Sequence, residues 1–337
     1  MTNFYKLLFS FSLMMGIIIS ISATSWFTAW LGLEINLLSL MPLMKSFKNK
    51  FSAEATLKYF MTQAMASAIL IFSIILIANL KTINLFESPN NIIAIMLNSS
   101  LLMKMGAAPL HFWLPEVISG TSWNMNLVIL TWQKIAPMIL LFYSMASTLF
   151  ISMFIIISAL IGSLEGLNQS CLRKLMVFSS INHISWMLSA LMNSLSSWLI
   201  YFMIYCFINM NIIFMLNMNK IYFMSQINML SNSKMIKFFL LMNFLSLGGL
   251  PPFIGFFIKW ITLNEMIYNN FFLLPIIMII LTLIALYFYL RIMFSTLTLS
   301  MSESLKPLSK KINFLMSSSS FISLMSMTLF FTFTSLT

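Results

Sequence analysis

Four ionisable side chains stand inside strongly apolar stretches of the sequence. Glu34 lies in AWLGLEINLLSL, Lys104 in LLMKMGAAP, Lys134 in LVILTWQKIAPMILL and Lys259 in GGLPPFIGFFIKW. A charge at the centre of a membrane helix costs about 2.5 to 3.5 kcal/mol, so we expect each group to face protein or water and to have a partner. Carboxylate and ammonium groups exchange protons, and this is the chemistry that such a set could perform.

A proline follows closely after two of these lysines. A proline inside a helix leaves the carbonyl four residues earlier without its hydrogen-bond donor. That carbonyl belongs to Gln133 for Pro137 and to Met105 for Pro109, and in each case it adjoins the lysine. A freed carbonyl within hydrocarbon recruits water or an ammonium group, so the prolines predict polar, hydrated positions beside the two lysines.

Burial disfavours a charged ammonium, whereas a neighbouring carboxylate favours it, so a lysine whose glutamate moves or is protonated can release a proton. His111 follows Lys104 by seven residues, about two turns if the helix resumed, and could carry protons between lysines. Alternatively, His111 only holds the chain together there, and each lysine taken alone could serve helix packing. Taken together, the groups are interpreted as a proton relay through Glu34, Lys104, Lys134 and Lys259, with His111 assisting.

The composition places the chain in a bilayer. Of its 337 residues, 60% are hydrophobic and 7% are charged, with a mean hydropathy of +0.97, whereas soluble domains carry about a quarter charged residues. The net charge of +11 is spread in small groups between apolar blocks, a pattern that does not indicate nucleic acid. Cys171 and Cys206 are far apart, which supports neither a disulfide framework nor an iron–sulfur or zinc site. Two histidines could at most form a lone haem pair, and no other ligand spacing supports one.

Apolar blocks and polar breaks predict eleven membrane-spanning segments. They cover residues 6–22, 26–44, 53–79, 91–119, 124–147, 149–167, 172–192, 195–217, 235–268, 271–297 and 312–335. Basic residues collect at the N-terminus and in alternate loops, namely Lys6; Lys45, Lys48 and Lys50; Arg173 and Lys174; Lys220, Lys234 and Lys237; and Lys306, Lys310 and Lys311. Loops on the positive side gather lysine and arginine, so the N-terminus lies on that side and the C-terminus opposite.

The fourth and ninth spans are too long for one crossing, and both are interrupted. The interruptions are GAAP at Gly106 to Pro109 and GGLPP at Gly248 to Pro252, five spans apart. A five-helix unit repeated in tandem must insert upside down relative to its predecessor. The sequence therefore predicts an all-α polytopic membrane protein, a single domain over 1–337, with inverted repeats at 6–148 and 149–297 and a C-terminal helix at 312–335.

Several other charged groups have more ordinary interpretations. Glu54 and Lys58, four residues apart, predict an i, i+4 pair near a helix start, and Glu116 is expected at the membrane interface. Arg291 is expected to extend its charge towards the interface. His183, in SSINHISWM, is open between polar packing and a water path.

The signature segments resemble a known family. GAAPLHFWLPEV, LVILTWQKIAP, RKLMVFSSINHISWM and GGLPPFIGFFIKW, with GLEINLLSL and EATLKYFMTQ near the start, resemble the antiporter-like membrane subunits of NADH dehydrogenase, respiratory complex I, and among them the mitochondrial subunit 2 family. All seven acidic residues are glutamate, while methionine reaches 32 and phenylalanine 33. This skew is typical of an A+T-rich genome that reads an extra codon as methionine, as animal mitochondria do.

The resemblance implies roles for the residues singled out above. It implies that the helix carrying Glu34 faces the first broken helix with Lys104, that Lys134 is the central connecting lysine, and that Lys259 belongs to the second broken helix. It also implies a multi-pass protein of the mitochondrial inner membrane, with the N-terminus in the matrix and the C-terminus in the intermembrane space. The chain departs from bacterial relatives by lacking three N-terminal helices, which leaves a groove for other subunits to cover.

The function expected from this resemblance is that of a core membrane-arm subunit of NADH:ubiquinone reductase that couples quinone reduction to proton pumping. No cofactor is expected in this chain, because NADH, FMN, iron–sulfur clusters and ubiquinone would bind other subunits. Expected partners are another antiporter-like subunit, accessory subunits over the missing helices, and lipids such as cardiolipin. The alternatives are a free-standing cation/proton antiporter, which usually requires more carboxylates than Glu34, and a purely structural membrane spacer.

Overall fold

The computed structural model describes residues 2–46, 49–83, 91–145, 147–228, 234–251 and 253–298. These residues are α-helical apart from connecting loops and an isolated β-bridge between Cys171 and Phe223. The helices are α1 (Thr2–Ile21), α2 (Trp26–Met44), α3 (Lys50–Ile83), α4 (Asn91–Met105), α5 (Trp113–Gly120), α6 (Trp123–Leu130), α7 (Trp132–Ser144), α8 (Thr148–Leu167), α9 (Leu172–Asn193), α10 (Leu195–Asn219), α11 (Met224–Asn228), α12 (Lys234–Gly248), α13 (Ile254–Tyr268) and α14 (Leu273–Thr298). The predicted helix at 312–335 lies outside the described residues.

Two helix pairs follow the interruptions that the sequence predicts. The first is α4 and α5, between which the chain leaves the helix after Met105 and resumes it at Trp113. The second is α12 and α13, separated between Gly248 and Ile254. Glycine and proline occupy both gaps, since glycine permits the turn and proline does not continue a helix.

A third interruption, at Thr131, was not predicted, although the predicted span 124–147 corresponds to one candidate membrane span, Trp123–Ser144. Helix α6 ends at Leu130 and α7 begins at Trp132. Thr131 has φ −116° and ψ −69°, and its hydroxyl donates to the carbonyl of Leu127 at 2.7 Å. A threonine hydroxyl that bonds the preceding turn slightly destabilises a helix and often bends it, and such a bond accompanies the break here.

The helices are long and apolar enough for a bilayer. Among the described residues, eight helical segments have the length and composition to cross a membrane. Large apolar side chains cover much of their outer surface, for example Phe11, Phe72, Met153, Met203 and Leu283, each more than half exposed. Exposed apolar surface of this extent indicates contact with lipid or with other membrane proteins.

The described residues form two compact units, which are divided within α8 between Phe154 and Ile155. In the first unit, α1 lies along α2, α3 packs against α4 and α5, and α4 packs against α7. In the second unit, α9 is buried along nearly its whole length and packs against α10, α13 and α14. Helix α12 packs against α10 and α14.

Two glycines bring α1 and α2 into backbone contact. A Cβ atom at Gly32 would lie 2.6 Å from the amide nitrogen of Ser20 and 2.8 Å from the carbonyl oxygen of Gly16. Small residues allow such close packing between membrane helices. This contact positions α2, which carries Glu34 two residues after Gly32.

Candidate functional site

Lys104 lies in the last turn of α4, at the first break. Gly106 turns the chain with φ +75°, in the region that favours glycine, and a Cβ there would lie 2.5 Å from the Leu114 side chain. The Lys104 side chain is only 4% exposed. Its cation stands at a helix C-terminus, where the backbone dipoles favour positive charge.

Glu34 is the partner of Lys104, and the structure brings these two predicted residues together. The Nζ atom of Lys104 is 3.9 Å from Oε1 of Glu34, whose side chain is 23% exposed. A hydrogen bond between such groups would span about 2.7 to 2.9 Å. Oε1 of Glu34 is buried and accepts no hydrogen bond from the residues that the structure describes. The pair is therefore held by charge without direct hydrogen bonding, and a small movement could close or open it.

The carbonyls at the end of α4 are capped by side chains from other helices. Nε2 of Gln63, on α3, donates to the carbonyl of Lys104 at 3.3 Å. Nε1 of Trp113, on α5, donates to the carbonyl of Met103 at 3.2 Å. The sequence prediction assumed a helix running through Pro109, which would free the carbonyl of Met105. That premise is wrong, because α4 ends before the proline.

His111 lies in the non-helical segment of the first break. It is buried, its Nδ1 lies 3.2 Å from the carbonyl oxygen of Pro109, and its ring is 4.5 Å from that of Phe112. The condition for a spacing of two helical turns from Lys104 is not met, because the helix resumes only at Trp113, after His111. These contacts of His111 are with Pro109 and Phe112, which belong to the same break.

Lys134 lies in the first turn of α7, directly after the break at Thr131. It is 1% exposed, and its backbone amide donates to the carbonyl of Thr131 at 3.2 Å. Helix α7 contains Pro137, which leaves the carbonyl of Gln133 without the helical donor, as the sequence predicts. A buried lysine and an altered helix end thus occur together a second time in the first unit.

Three amide side chains lie beside Glu34, Lys104 and Lys134, and their contacts were not predicted from the sequence. They belong to Asn36, Gln63 and Gln133. Nε2 of Gln133 donates to Oδ1 of Asn36 at 2.8 Å, and the hydroxyl of Tyr59 donates to Oε1 of Gln133 at 3.5 Å. Asn36 follows Glu34 on α2, so these bonds connect the helices that carry Glu34 and Lys134. Gln63, the third of these amides, bonds the Lys104 carbonyl separately. The available signal was the cost of placing amides in apolar spans.

Lys259 lies on α13, just after the second break, and is buried. Its Nζ atom donates to the carbonyl of Gly248 at 2.8 Å and lies 5.8 Å from the centre of the Trp186 ring. Gly249 has φ +80°, and a Cβ there would lie 2.9 Å from that Nζ atom. The glycine therefore permits both the turn and the passage of the lysine side chain. Here the ammonium itself caps the end of the broken helix.

The second unit also contains a buried histidine, His183, whose role the sequence left open. Nδ1 of His183, on α9, is 2.8 Å from the hydroxyl of Tyr201, and the His183 ring is 5.1 Å from that of Tyr205. Which nitrogen carries the proton depends on the tautomer. Buried polar groups surround it on the same helix, including Ser179, Ser180, Asn182 and Ser185. His183 is thus an additional candidate for proton transfer.

The other charged groups considered above form ion pairs or bond a backbone carbonyl. Lys58 forms ion pairs with Glu54 at 2.8 Å, as predicted, and with Glu116 at 2.7 Å, and all three side chains are substantially exposed. Arg291 donates to the carbonyl of Gln169 at 3.2 Å. Within the described residues, no group of three potential ligands could hold a metal ion.

The chain is similar in sequence to known membrane proteins. Residues 23–285 match the family described as NADH:quinone oxidoreductase/Mrp antiporter, TM. The chain is 46% identical to NADH-ubiquinone oxidoreductase chain 2 of Anopheles gambiae, over 94% of this chain and 92% of that protein. It is 40% identical to the chain 2 protein of Mus musculus, over 85% of this chain and 84% of that protein.

Solved structures share the fold. A chain of respiratory complex I from Thermus thermophilus aligns over 97% of this chain and 78% of its own length, with a TM-score of 0.82 and 21% identity. A chain of the archaeal membrane-bound sulfane sulfur reductase aligns over 95% and 72%, with a TM-score of 0.80 and 14% identity. Together with the family match over residues 23–285, this fold places the chain in the class of antiporter-like polytopic membrane proteins. The chain belongs to the NADH-ubiquinone oxidoreductase chain 2 family, which confirms the resemblance of its signature segments.

Proposed function

We propose that this chain is a membrane-arm subunit of proton-translocating NADH:ubiquinone oxidoreductase in the mitochondrial inner membrane. Quinone reduction in other subunits would supply the energy, and buried groups of this chain would transfer protons. Membership of the chain 2 family supports the assignment to the complex. The chain would hold no redox centre, because NADH, FMN, iron–sulfur clusters and ubiquinone bind other subunits.

The observation that carries the proposal is the pair of half-buried Glu34 and buried Lys104 at a helix break. At 3.9 Å and an effective dielectric constant of about 20, their attraction is about 4 kcal/mol. This attraction favours the charged ammonium of Lys104. Movement or protonation of Glu34 would remove it. Redox energy that shifts the carboxylate would therefore be converted into release of a proton from Lys104.

The proposed path runs from Glu34 to Lys104, Lys134 and Lys259, with His111 assisting. Burial of all three lysines supports it, as does the location of each lysine at an interrupted helix. A buried charge is costly, and an interrupted helix exposes carbonyls that can bind water or an ammonium group. Proton transfer between these groups would proceed through such hydrated positions.

The proposed topology has eleven crossings, with the N-terminus in the matrix and the C-terminus in the intermembrane space. The five-helix inverted repeats would cover 6–148 and 149–297, followed by the helix at 312–335. The equivalent place of the two breaks supports the repeats, and the basic residues of alternate loops support the orientation. Another antiporter-like subunit, accessory subunits and lipids such as cardiolipin would cover the remaining apolar surface.

Replacement of Lys104 by methionine tests the proposal. In sealed inner-membrane vesicles, Lys104→Met should leave the complex assembled and lower the number of protons translocated per NADH oxidised. Lys45→Met is the matched control, because Lys45 is exposed at the end of α2 and should keep the wild-type ratio. A wild-type ratio in assembled Lys104→Met complexes would contradict the relay.

Comigration tests the assignment to the complex separately. Membranes are solubilised gently and separated by native electrophoresis, and the chain is located by mass spectrometry. The chain should migrate with NADH-oxidising activity. Migration as a small particle without this activity would favour a free-standing antiporter instead.

A further inference from the structure

The end of α4 has carbonyl groups that its own helix cannot satisfy. The last four carbonyls of an α-helix lack helical donors. In α4, the carbonyl of Leu102 accepts from the amide of Ala107 at 3.0 Å, and that of Met103 accepts from the amide of Gly106 at 3.2 Å. The carbonyl of Lys104 accepts instead from the Gln63 side chain, which belongs to another helix.

Gln63 is held in place to make this bond. It is 5% exposed and lies on α3, one turn after Tyr59. The ring of Tyr59 packs edge-on against Trp113 at 5.9 Å, and Trp113 donates to the neighbouring carbonyl of Met103. Residues four apart share a helix face, so one face of α3 supports both side-chain caps of the break.

At the second break, an ammonium group caps the end of a helix. There, Nζ of Lys259 donates directly to the carbonyl of Gly248, so the lysine is engaged by the helix end. At the first break, the caps are the neutral donors of Gln63 and Trp113. The ammonium of Lys104 is therefore directed towards the carboxylate of Glu34.

We propose that Gln63 is a positioning residue that, by bonding the Lys104 carbonyl, caps the end of α4 and holds the lysine where its ammonium faces Glu34. The carbonyl and the side chain are attached to the same Cα atom, so the Gln63 bond also fixes the direction in which the lysine leaves the helix. At 3.9 Å, the pair lies about 1 Å beyond hydrogen-bond length, where small shifts decide whether a direct bond forms. This inference rests on the proposed function of the pair.

Replacement of Gln63 by methionine keeps the length and approximate volume of the side chain but removes the donor. The loss of one such bond should slow proton-coupled turnover by about threefold to tenfold in assembled complexes and lower the protons translocated per NADH oxidised. Gln226→Met is the matched control. The Gln226 side chain also bonds backbone groups, accepting from the amides of Tyr222 and Phe223, but it lies in the second unit.

A double-mutant cycle separates positioning from packing. In the Lys104→Met background there is no ammonium to position, so adding Gln63→Met should cause no further loss of proton translocation. A further loss of the same size would show that Gln63 acts independently of Lys104 and would overturn the inference.

The two proposals fail in different ways. If Lys104→Met itself keeps the wild-type proton ratio, the proposed function fails. If Lys104→Met lowers the ratio while Gln63→Met keeps both the ratio and the rate, the relay stands and the role of Gln63 is wrong.

Discussion

Replacement of Glu34 by glutamine removes the charge from the Glu34/Lys104 pair while retaining the shape of the side chain. The attraction at 3.9 Å is about 4 kcal/mol at an effective dielectric constant of about 20. Because Glu34 is 23% exposed, solvent screens part of it, and we expect about 2 to 4 kcal/mol to be lost. At about 1.4 kcal/mol per factor of ten, proton-coupled turnover should fall at least about tenfold.

The assay compares two activities of the same membranes. NADH:quinone turnover with proton translocation should fall in Glu34→Gln, whereas NADH oxidation by a soluble acceptor that bypasses quinone should not change. Glu54→Gln is the matched control, since Glu54 is 59% exposed and its ion pair with Lys58 should contribute little. Wild-type turnover and proton ratio in assembled Glu34→Gln complexes would refute the idea that this charge controls Lys104.

Three further substitutions test other parts of the structure. Gly249→Ala forces an alanine into φ +80° and places its Cβ 2.9 Å from Nζ of Lys259, so we expect about 1 to 2 kcal/mol of strain and a lower yield of active complex in native gels. Tyr201→Phe removes the hydroxyl beside His183 and should slow coupled turnover by about threefold to tenfold without loss of assembly, as measured by NADH oxidation in sealed vesicles. Lys58→Met removes two exposed ion pairs and should shift the thermal midpoint of the complex by no more than a few degrees.

Hydropathy and helix breakers were sufficient to predict most of the helical segments. The interruptions near Gly106 and Gly248 follow from residues that act locally, because glycine adopts positive φ at little cost and a proline beside it disfavours continuation of the helix. The break at Thr131 was not predictable in this way. Threonine is tolerated within helices, and the bond of its hydroxyl to the Leu127 carbonyl is of a kind that also occurs in unbroken helices such as α3.

The residues of the candidate site were likewise only partly predictable from the sequence. The cost of burying charge identified Lys104, Lys134 and Lys259 from the sequence, and all three are buried. The role of Gln63 depends on a contact between residues 41 positions apart. No local pattern reports such a contact, and the distance from Lys104 to His111 could not be counted in helical turns, because the helix ends before His111.

The two broken helices hold their lysines by different means, and the difference bears on how a relay would be driven. Lys259 is balanced by a carbonyl dipole and an aromatic ring, which carry no net charge and cannot be neutralised by a proton. Lys104 is balanced by Glu34, whose charge a proton or a movement removes. Under the proposed function, energy therefore enters this subunit at Glu34 and Lys104, while Lys259 responds to charge that arrives from elsewhere in the path.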